Sequence, residues 1–477
     1  MTTAPVADAR PRLLLIVHQF FPQFHSGTET LCERCARSYV EMGYAVDIVT
    51  SIIVDAEVLP PLLASDVLDG AARALLEGED PPLTRPVCYS HAPHIAVHAF
   101  THSHDPRHGR PRFGREVTEP AIEALLARLS ADRRYDRAVV FHLLHMPLAG
   151  LAALAAQGIP ISFVATDFFA ICPIGSQQYE DGRLCGGPGR MSLACVKHLA
   201  TGQEGWLNLV QRINPGLVLS FYLWAFWRLG PWPRLAVHPW QNLYYLLERN
   251  RASRAFLTSC DVVIAPTSRV AESLVATGLP ARRIRRLPYG MPPPAQAYVP
   301  RRLTAPALRL CYAGQINTRK GLHVLLDALE MLPKDLDWQL DVWGDVAQGG
   351  VYAAAQAARV PEFDGRVRLC GTFESYRIHE VLAGYDYVLL PSTWSENLPL
   401  VLLSALQIGM PVIVSDARGL LDAFVGGEVY GRSFAMNDAG DLARVLEEEM
   451  RGRPVYDPTA APHVPSVEEF AQALLGR

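Results

Sequence analysis

The 477-residue sequence predicts an α/β protein: two doubly wound, Rossmann-like parallel-sheet domains facing a cleft. Three observations predict it. Short apolar runs, among them Leu13–Val17, Val262–Ala265, Leu308–Ala313, Tyr387–Leu390 and Val412–Ser415, alternate with segments of helical spacing. Strands buried on both faces read as such runs, and β–α alternation builds parallel sheets. The chain also exceeds one core, since domains hold roughly 100–250 residues. Finally, residues 288–307 carry Pro288, Gly290, Pro292, Pro293, Pro294, Pro300 and Pro306, a hinge composition between two such series.

The first series opens with the Leu13–Val17 strand, a loop holding Pro22 and Gly27, a helix over Glu29–Met42 and a strand over Tyr44–Thr50. Gly43 ends the helix, and the whole is a βαβ unit. Residues 52–118 carry weak periodicity. Order resumes with a helix at Glu119–Leu129 and strands at Ala138–Phe141 and Ile161–Ala165. An irregular segment runs from Phe168 to about Asn214, followed by aromatic-rich helices to about Leu257. A strand at Val262–Ala265, a helix at Ser268–Thr277 and a strand at Ile284–Leu287 close this series. The second has strands at Leu308–Ala313, Gln339–Trp343, Val367–Leu369, Tyr387–Leu390 and Val412–Ser415, with helices at Gly321–Leu332 and Leu398–Ile408. The expected domains are 1–295 and 308–465, with 466–477 a terminal helix packing back.

Hydrophobic residues are 49% and charged residues 19%, a balance that suits a folded globular chain. The net charge of -4 leaves no basic field to attract nucleic acid. The N-terminus lacks a secretory pattern. The apolar stretch from Gly216 to Trp227 falls short of the roughly 20 residues a spanning helix needs. A cytoplasmic location follows as the expectation, which makes the nine cysteines reduced thiols.

The chemistry-bearing residues fall at strand ends. Pro391-Ser392-Thr393-Trp394-Ser395-Glu396-Asn397-Leu398-Pro399 joins a buried strand to an apolar helix. A carboxylate there can accept hydrogen bonds from sugar hydroxyls, and free N–H groups at the helix start suit a phosphate. Upstream, Tyr312-Ala313-Gly314-Gln315 ends a strand and Arg319-Lys320-Gly321 opens a helix. Two cations at a helix start can neutralise a diphosphate. Ser26-Gly27-Thr28-Glu29 places a glycine where backbone must approach something closely.

In their order, these motifs resemble the family-4 type of retaining glycosyltransferases with the GT-B architecture. The resemblance runs from Leu13 to about Phe434. It rests on Gly27 in the N-terminal loop, on Gly314 followed by Lys320-Gly321, on Pro391-Ser392 with Glu396, on Gly409-x-Pro411-Val412, and on Pro288-Tyr289-Gly290 at the hinge. It implies a UDP- or GDP-linked sugar donor and a glycan, lipid-linked or small-molecule acceptor. Lys320 would hold the diphosphate, with Gly314, Gln315 and Arg319 beside it. Glu396 would contact the sugar, and backbone near Asn397 and Leu398 would bind phosphate. Reaction would retain anomeric configuration with no metal essential for catalysis.

The chain departs from the family pattern in three places. The second acidic position, which clamps the ribose, is Ser404. The arginine after the strand-end glycine is Gln315. The usual His-Asp pair is Thr166-Asp167, which leaves Asp167 as the catalytic candidate on this side, with His142 or His145 as neighbours. These departures favour, as the alternative, a catalytically impaired relative that binds a glycan or partner. A GT-B epimerase ranks last.

Cys172, Cys185, Cys195 and His198 lie together in the irregular segment. Three thiols and an imidazole can hold a structural zinc tetrahedrally; the alternative is unrelated buried cysteines. Cys32-x-x-Cys35 sits on a predicted helix with one thiol toward the core and reads as packing. His91, His94, His98, His102, His104 and His108 are spaced too irregularly for a metal cluster and read as strand and exposed loop. Trp206, Phe221, Tyr222, Trp224, Phe226, Trp227, Trp232 and Trp240, flanked by Arg212, Arg228 and Arg234, read as an apolar cover for the first sheet. Peripheral membrane contact at the inner face is the alternative.

Overall fold

The structure, a computed structural model, describes residues 10–55, 59–77, 85–102, 112–179, 184–201, 216–230, 238–294, 307–421, 430–457 and 461–477. Among these the first sheet has eight strands: β1 (Arg12–Ile16), β2 (Ala45–Ile53), β3 (Pro86–Ala92), β4 (Ile95–His102), β5 (Arg137–Val140), β6 (Ile161–Val164), β7 (Val262–Ala265) and β8 (Ile284–Arg286). Their order is β3-β4-β2-β1-β5-β6-β7-β8. Every pairing is parallel except the edge pair β3–β4. The second sheet is formed by β9 (Leu308–Ala313), β10 (Trp338–Trp343), β11 (Val367–Gly371), β12 (Tyr387–Leu390), β13 (Val412–Ser415) and β14 (Gly431–Phe434), in the order β11-β10-β9-β12-β13-β14 and parallel throughout.

Helices cover both sheets. In the first half they are α1 (Gly27–Glu41), α2 (Pro60–Leu63), α3 (Gly70–Leu76), α4 (Arg112–Val117), α5 (Pro120–Asp132), α6 (Leu148–Ala156), α7 (Leu193–Thr201), α8 (Gly216–Arg228), α9 (His238–Ser259) and α10 (Ser268–Ala276). In the second they are α11 (Leu322–Glu330), α12 (Gly350–Arg359), α13 (Ile378–Leu382), α14 (Leu400–Ile408), α15 (Arg418–Leu421), α16 (Ala439–Gly452) and α17 (Val467–Leu474). The expected strands recur within one to three residues at each end. The weakly periodic 52–118 segment holds β3 and β4, so His91, His98 and His102 lie in strands as expected, although periodicity gave neither strand its bounds. β3 is an edge strand whose residues alternate buried and exposed, a faint signal amid His and Pro. The helix expected to send one thiol to the core buries both Cys32 and Cys35, and burial raises the pKa of each.

Each sheet grows outward in two directions from a central strand, β1 in one and β9 in the other. The chain therefore switches sides between β1 and β5, and again between β9 and β12. In open parallel sheets such a switch point opens a crevice at the carboxyl ends of the strands. α17 returns to the first domain: Tyr39 donates to the Ala471 carbonyl at 3.1 Å, and Met291 pairs with Ser466. A Cβ on Gly290 would stand 2.6 Å from that of Phe470, so glycine is what lets the returning segment pass.

Candidate functional site

The second-domain switch point holds most of the predicted residues. Gly314 follows β9 with φ +157°, and no heavy atom lies within 4 Å of the Cβ it lacks. Asn317 caps the next turn by accepting from the Lys320 N–H at 3.1 Å. Gly321 ends the turn left-handed at φ +72°, and a Cβ there would lie 1.8 Å from the Pro391 carbonyl oxygen. Only glycine lets the two loops touch. Thr393 fastens them, its N–H donating to the Arg319 carbonyl and its hydroxyl to that of Thr318, both at 2.9 Å. The Arg319 guanidinium sits over the Trp394 ring, 5.1 Å from its centroid.

This junction brings Lys320 to Glu396. Lys320 Nζ lies 2.6 Å from Glu396 Oε1, and the Ser392 hydroxyl donates to the same oxygen at 2.8 Å. Glu396 is buried, while the Lys320 side chain is 26% exposed. Gln315 is exposed and its side-chain oxygen accepts from Asn317. Ser404 is buried on α14, and its hydroxyl donates to the Leu400 carbonyl one turn back at 3.0 Å. Leu398 is buried. The Asn397 side chain crosses to the first domain: Nδ2 donates to the Ala165 carbonyl and to the Tyr289 hydroxyl oxygen, each at 2.9 Å. The Ser395 N–H donates across the same gap to Gln178 Oε1 at 3.2 Å.

The first-domain switch point carries a polar file. His18 follows β1, His142 follows β5 and Asp167 follows β6. His142 Nδ1 accepts from the Leu144 N–H at 3.0 Å, so the proton of the neutral ring is on Nε2, which donates to Asp167 Oδ2 at 3.0 Å. Asp167 Oδ1 accepts from the Phe169 N–H at 2.7 Å. The His18 and His142 rings lie 4.1 Å apart, and His18 Nε2 approaches Glu29 Oε1 at 3.4 Å. Burial, then the neighbouring His142, holds the His18 pKa well below its ordinary value. Gly27 starts α1 with Leu400 of the second domain facing it, 3.8 Å from the position a Cβ would take. Thr166 donates its hydroxyl to the Phe141 carbonyl at 2.7 Å. The His145 ring lies tilted against that of His102 instead, with centroids 4.0 Å apart. His18 and Glu29 were not singled out from sequence; a polar residue right after a central apolar strand is the signal that finds His18.

Cys172, Cys185, Cys195 and His198 line one void of about 10 Å³ with Ile171, Ile174 and Gln177. Among the described residues no three His, Cys, Asp or Glu side chains converge to hold a metal. Burial first, and the nearby Cys172, push the Cys195 thiol up to about 12. The four predicted ligands thus share one void without converging on a common point.

Residues 307–450 match the family model described as glycosyl transferases group 1. The matched segment contains the second sheet, from β9 to β14. The amylovoran biosynthesis glycosyltransferase AmsK of Erwinia amylovora is 25% identical over 243 residues, 49% of this chain and 58% of that protein. The match thus spans just over half of that relative's length. The Anabaena protein HepE in complex with UDP shares the fold at TM-score 0.55 and 16% identity, covering 98% of this chain and 94% of that one. Sucrose-phosphate synthase of Thermosynechococcus elongatus does so at 0.56 and 17%, over 98% and 94%. Both sheets thus take the GT-B arrangement, and the Lys320–Glu396 pair lies within the matched group 1 segment. Among the described residues no helix is long and apolar enough to cross a membrane.

Proposed function

We propose that this chain is a retaining glycosyltransferase, moving a sugar from a UDP- or GDP-linked donor to a glycan, lipid-linked or small-molecule acceptor. The observation that carries the reading is the Lys320–Glu396 pair, held 2.6 Å apart by loops from the two central strands of the second sheet. A diphosphate needs a cation and sugar hydroxyls need an acceptor, and the two are adjacent here. The donor diphosphate competes for Lys320, with Arg319 adding charge, and Glu396 turns from the ammonium to the sugar. Gly314 leaves backbone room for the donor. The sugar–phosphate bond breaks, the acceptor oxygen bonds the anomeric carbon from the same face, and its proton passes to the departing phosphate oxygen. Lys320 stabilises the charge that develops on the leaving group. His142 holds Asp167 at the opposite rim, where Asp167 accepts a hydrogen bond from the incoming hydroxyl.

Incubation with a panel of UDP- and GDP-sugars tests this reading, with free nucleotide as the readout and product NMR for anomeric configuration. No turnover and no nucleotide-dependent thermal shift would leave the second reading, a glycan- or partner-binding relative. The buried Ser404 hydroxyl, bonded to its own helix, favours that reading, since it leaves the ribose without a carboxylate clamp.

A cytoplasmic setting with peripheral membrane contact is part of the proposal. Phe221, Tyr222, Trp224 and Leu229 are exposed on and just after α8, and flotation with anionic vesicles tests the contact. Trp206, Trp232, Arg212 and Arg234 lie outside the described residues, as do His104 and His108. The structural zinc stands apart from the chemistry. Native mass spectrometry decides it: one zinc per chain supports it and none removes it.

A further inference from the structure

A second chemically organised group lies far from the cleft, toward the amino ends of the first sheet. Cys88 on β3 and His98 on β4 are direct cross-strand partners. Their side chains share a face, and Cys88 Sγ lies 3.4 Å from His98 Nδ1. Behind the ring, His98 Nε2 lies 2.9 Å from Asp47 Oδ1 on β2. Asp47 is fully buried and also accepts from Arg12 Nη1 at 2.9 Å, from the Tyr135 hydroxyl at 3.0 Å and from Arg133. His98 is 6% exposed, whereas Cys88 is exposed at the sheet edge. A thiol, an imidazole and a carboxylate thus stand in line, with the thiol outermost.

The geometry points to Cys88 as a reactive thiol, activated by His98 and Asp47, that undergoes exchange with low-molecular-weight disulfides. Asp47 anchors the imidazole so that Nδ1 faces the sulfur. Burial opposes the Asp47 charge, but hydrogen bonds from His98, Arg12 and Arg133 outweigh it and keep the carboxyl ionised well below the usual range. Burial opposes the His98 charge too, but its hydrogen bonds with Asp47 and Cys88 outweigh that and raise its pKa. The His98 hydrogen bond lowers the Cys88 thiol most, against partial burial, with the charges of His98, Arg128 and Arg133 adding to it. The proton passes from Sγ to Nδ1, leaving a thiolate beside an imidazolium. The Sγ electron pair then attacks one sulfur of the disulfide. A new S–S bond forms, the old one breaks, and its pair leaves on the second sulfur, which takes up the proton. Cys88 is oxidised to a mixed disulfide and half of the small disulfide is reduced to thiol.

The other cysteines supply internal controls. Cys370 is half-buried, and burial followed by Asp341 raises its pKa; the remaining seven are buried. The test is alkylation of the full-length folded protein with iodoacetamide from pH 5.5 to 9, with site-resolved mass spectrometry, and a parallel arm with oxidised glutathione. The expected result is labelling of Cys88 first, at pH 6.5 at least about tenfold faster than Cys370, with a midpoint below the ordinary thiol value of about 8.5. His98→Gln shifts that midpoint upward, and Arg128→Ala, outside the buried network, does so by a smaller step. A Cys88 profile with the ordinary midpoint, or a rate equal to that of Cys370, overturns the inference on the unmodified protein alone. An adduct with glutathione at another cysteine and none at Cys88 overturns it as well.

Discussion

Lys320 Nζ and Glu396 Oε1 meet at 2.6 Å because Gly321 lets its loop touch the Pro391 carbonyl. The pair joins a buried carboxylate to a partly exposed ammonium. Lys320→Met leaves Glu396 buried without its cation, a change that costs about 1–3 kcal/mol. Urea unfolding is expected to show that loss together with at least about a hundredfold fall in donor turnover. Lys320→Met/Glu396→Gln recovers much of the stability and none of the turnover. A double variant with near-normal turnover would remove the pair from the site.

The close approach at Gly321 makes its own prediction. Gly321→Ala puts a methyl 1.8 Å from a backbone oxygen at φ +72°. Neither loop can yield cheaply, and a loss of about 3 kcal/mol or more is expected. Gly314→Ala meets nothing within 4 Å and should retain far more of the fold, because its cost is confined to backbone conformation. Equal urea midpoints for the two variants would contradict this.

Asn397 couples the domains through two hydrogen bonds at 2.9 Å. Asn397→Ala unpairs the Ala165 carbonyl and leaves Tyr289 without its amide donor, for about 1–3 kcal/mol. Small-angle scattering is expected to show a larger radius of gyration without nucleotide. An unchanged radius and an unchanged melting temperature would show that the closed arrangement does not depend on this side chain.

His18 predicts a pH dependence. Its folded pKa is held below the unfolded value of 6.5. Below about 6.5 the unfolded chain therefore binds a proton that the folded one refuses, so stability falls as pH drops through that value. His323 and His379 are depressed in the same sense and His98 is raised, so the informative quantity is a difference. Between pH 7.5 and 5.5 the urea midpoint of His18→Gln should fall less than that of the unaltered protein. An equal fall would place the proton uptake elsewhere.

Much of the fold was readable because strands buried on both faces must be apolar throughout. β7, β9, β12 and β13 appear in the sequence with the ends they have in the structure. The bounds of β3 and β4 were not, since the edge strand β3 exposes alternate residues and the buried His98 and Thr101 interrupt the apolar run of β4. The Cys32–Cys35 pair misled for a related reason: three residues apart, both lie on the one helix face that packs inward.

Local periodicity and turn chemistry encode the two-sheet architecture and the loops that carry Gly314, Lys320 and Glu396, so both are legible in the chain. Folding alone sets His142 beside Asp167, carries the Asn397 side chain across to Ala165, and brings Cys88 to His98 and Asp47. Each of these unites residues from separate strands. Their proximity comes from strand order and register, which depend on long-range packing and leave no local pattern in the chain.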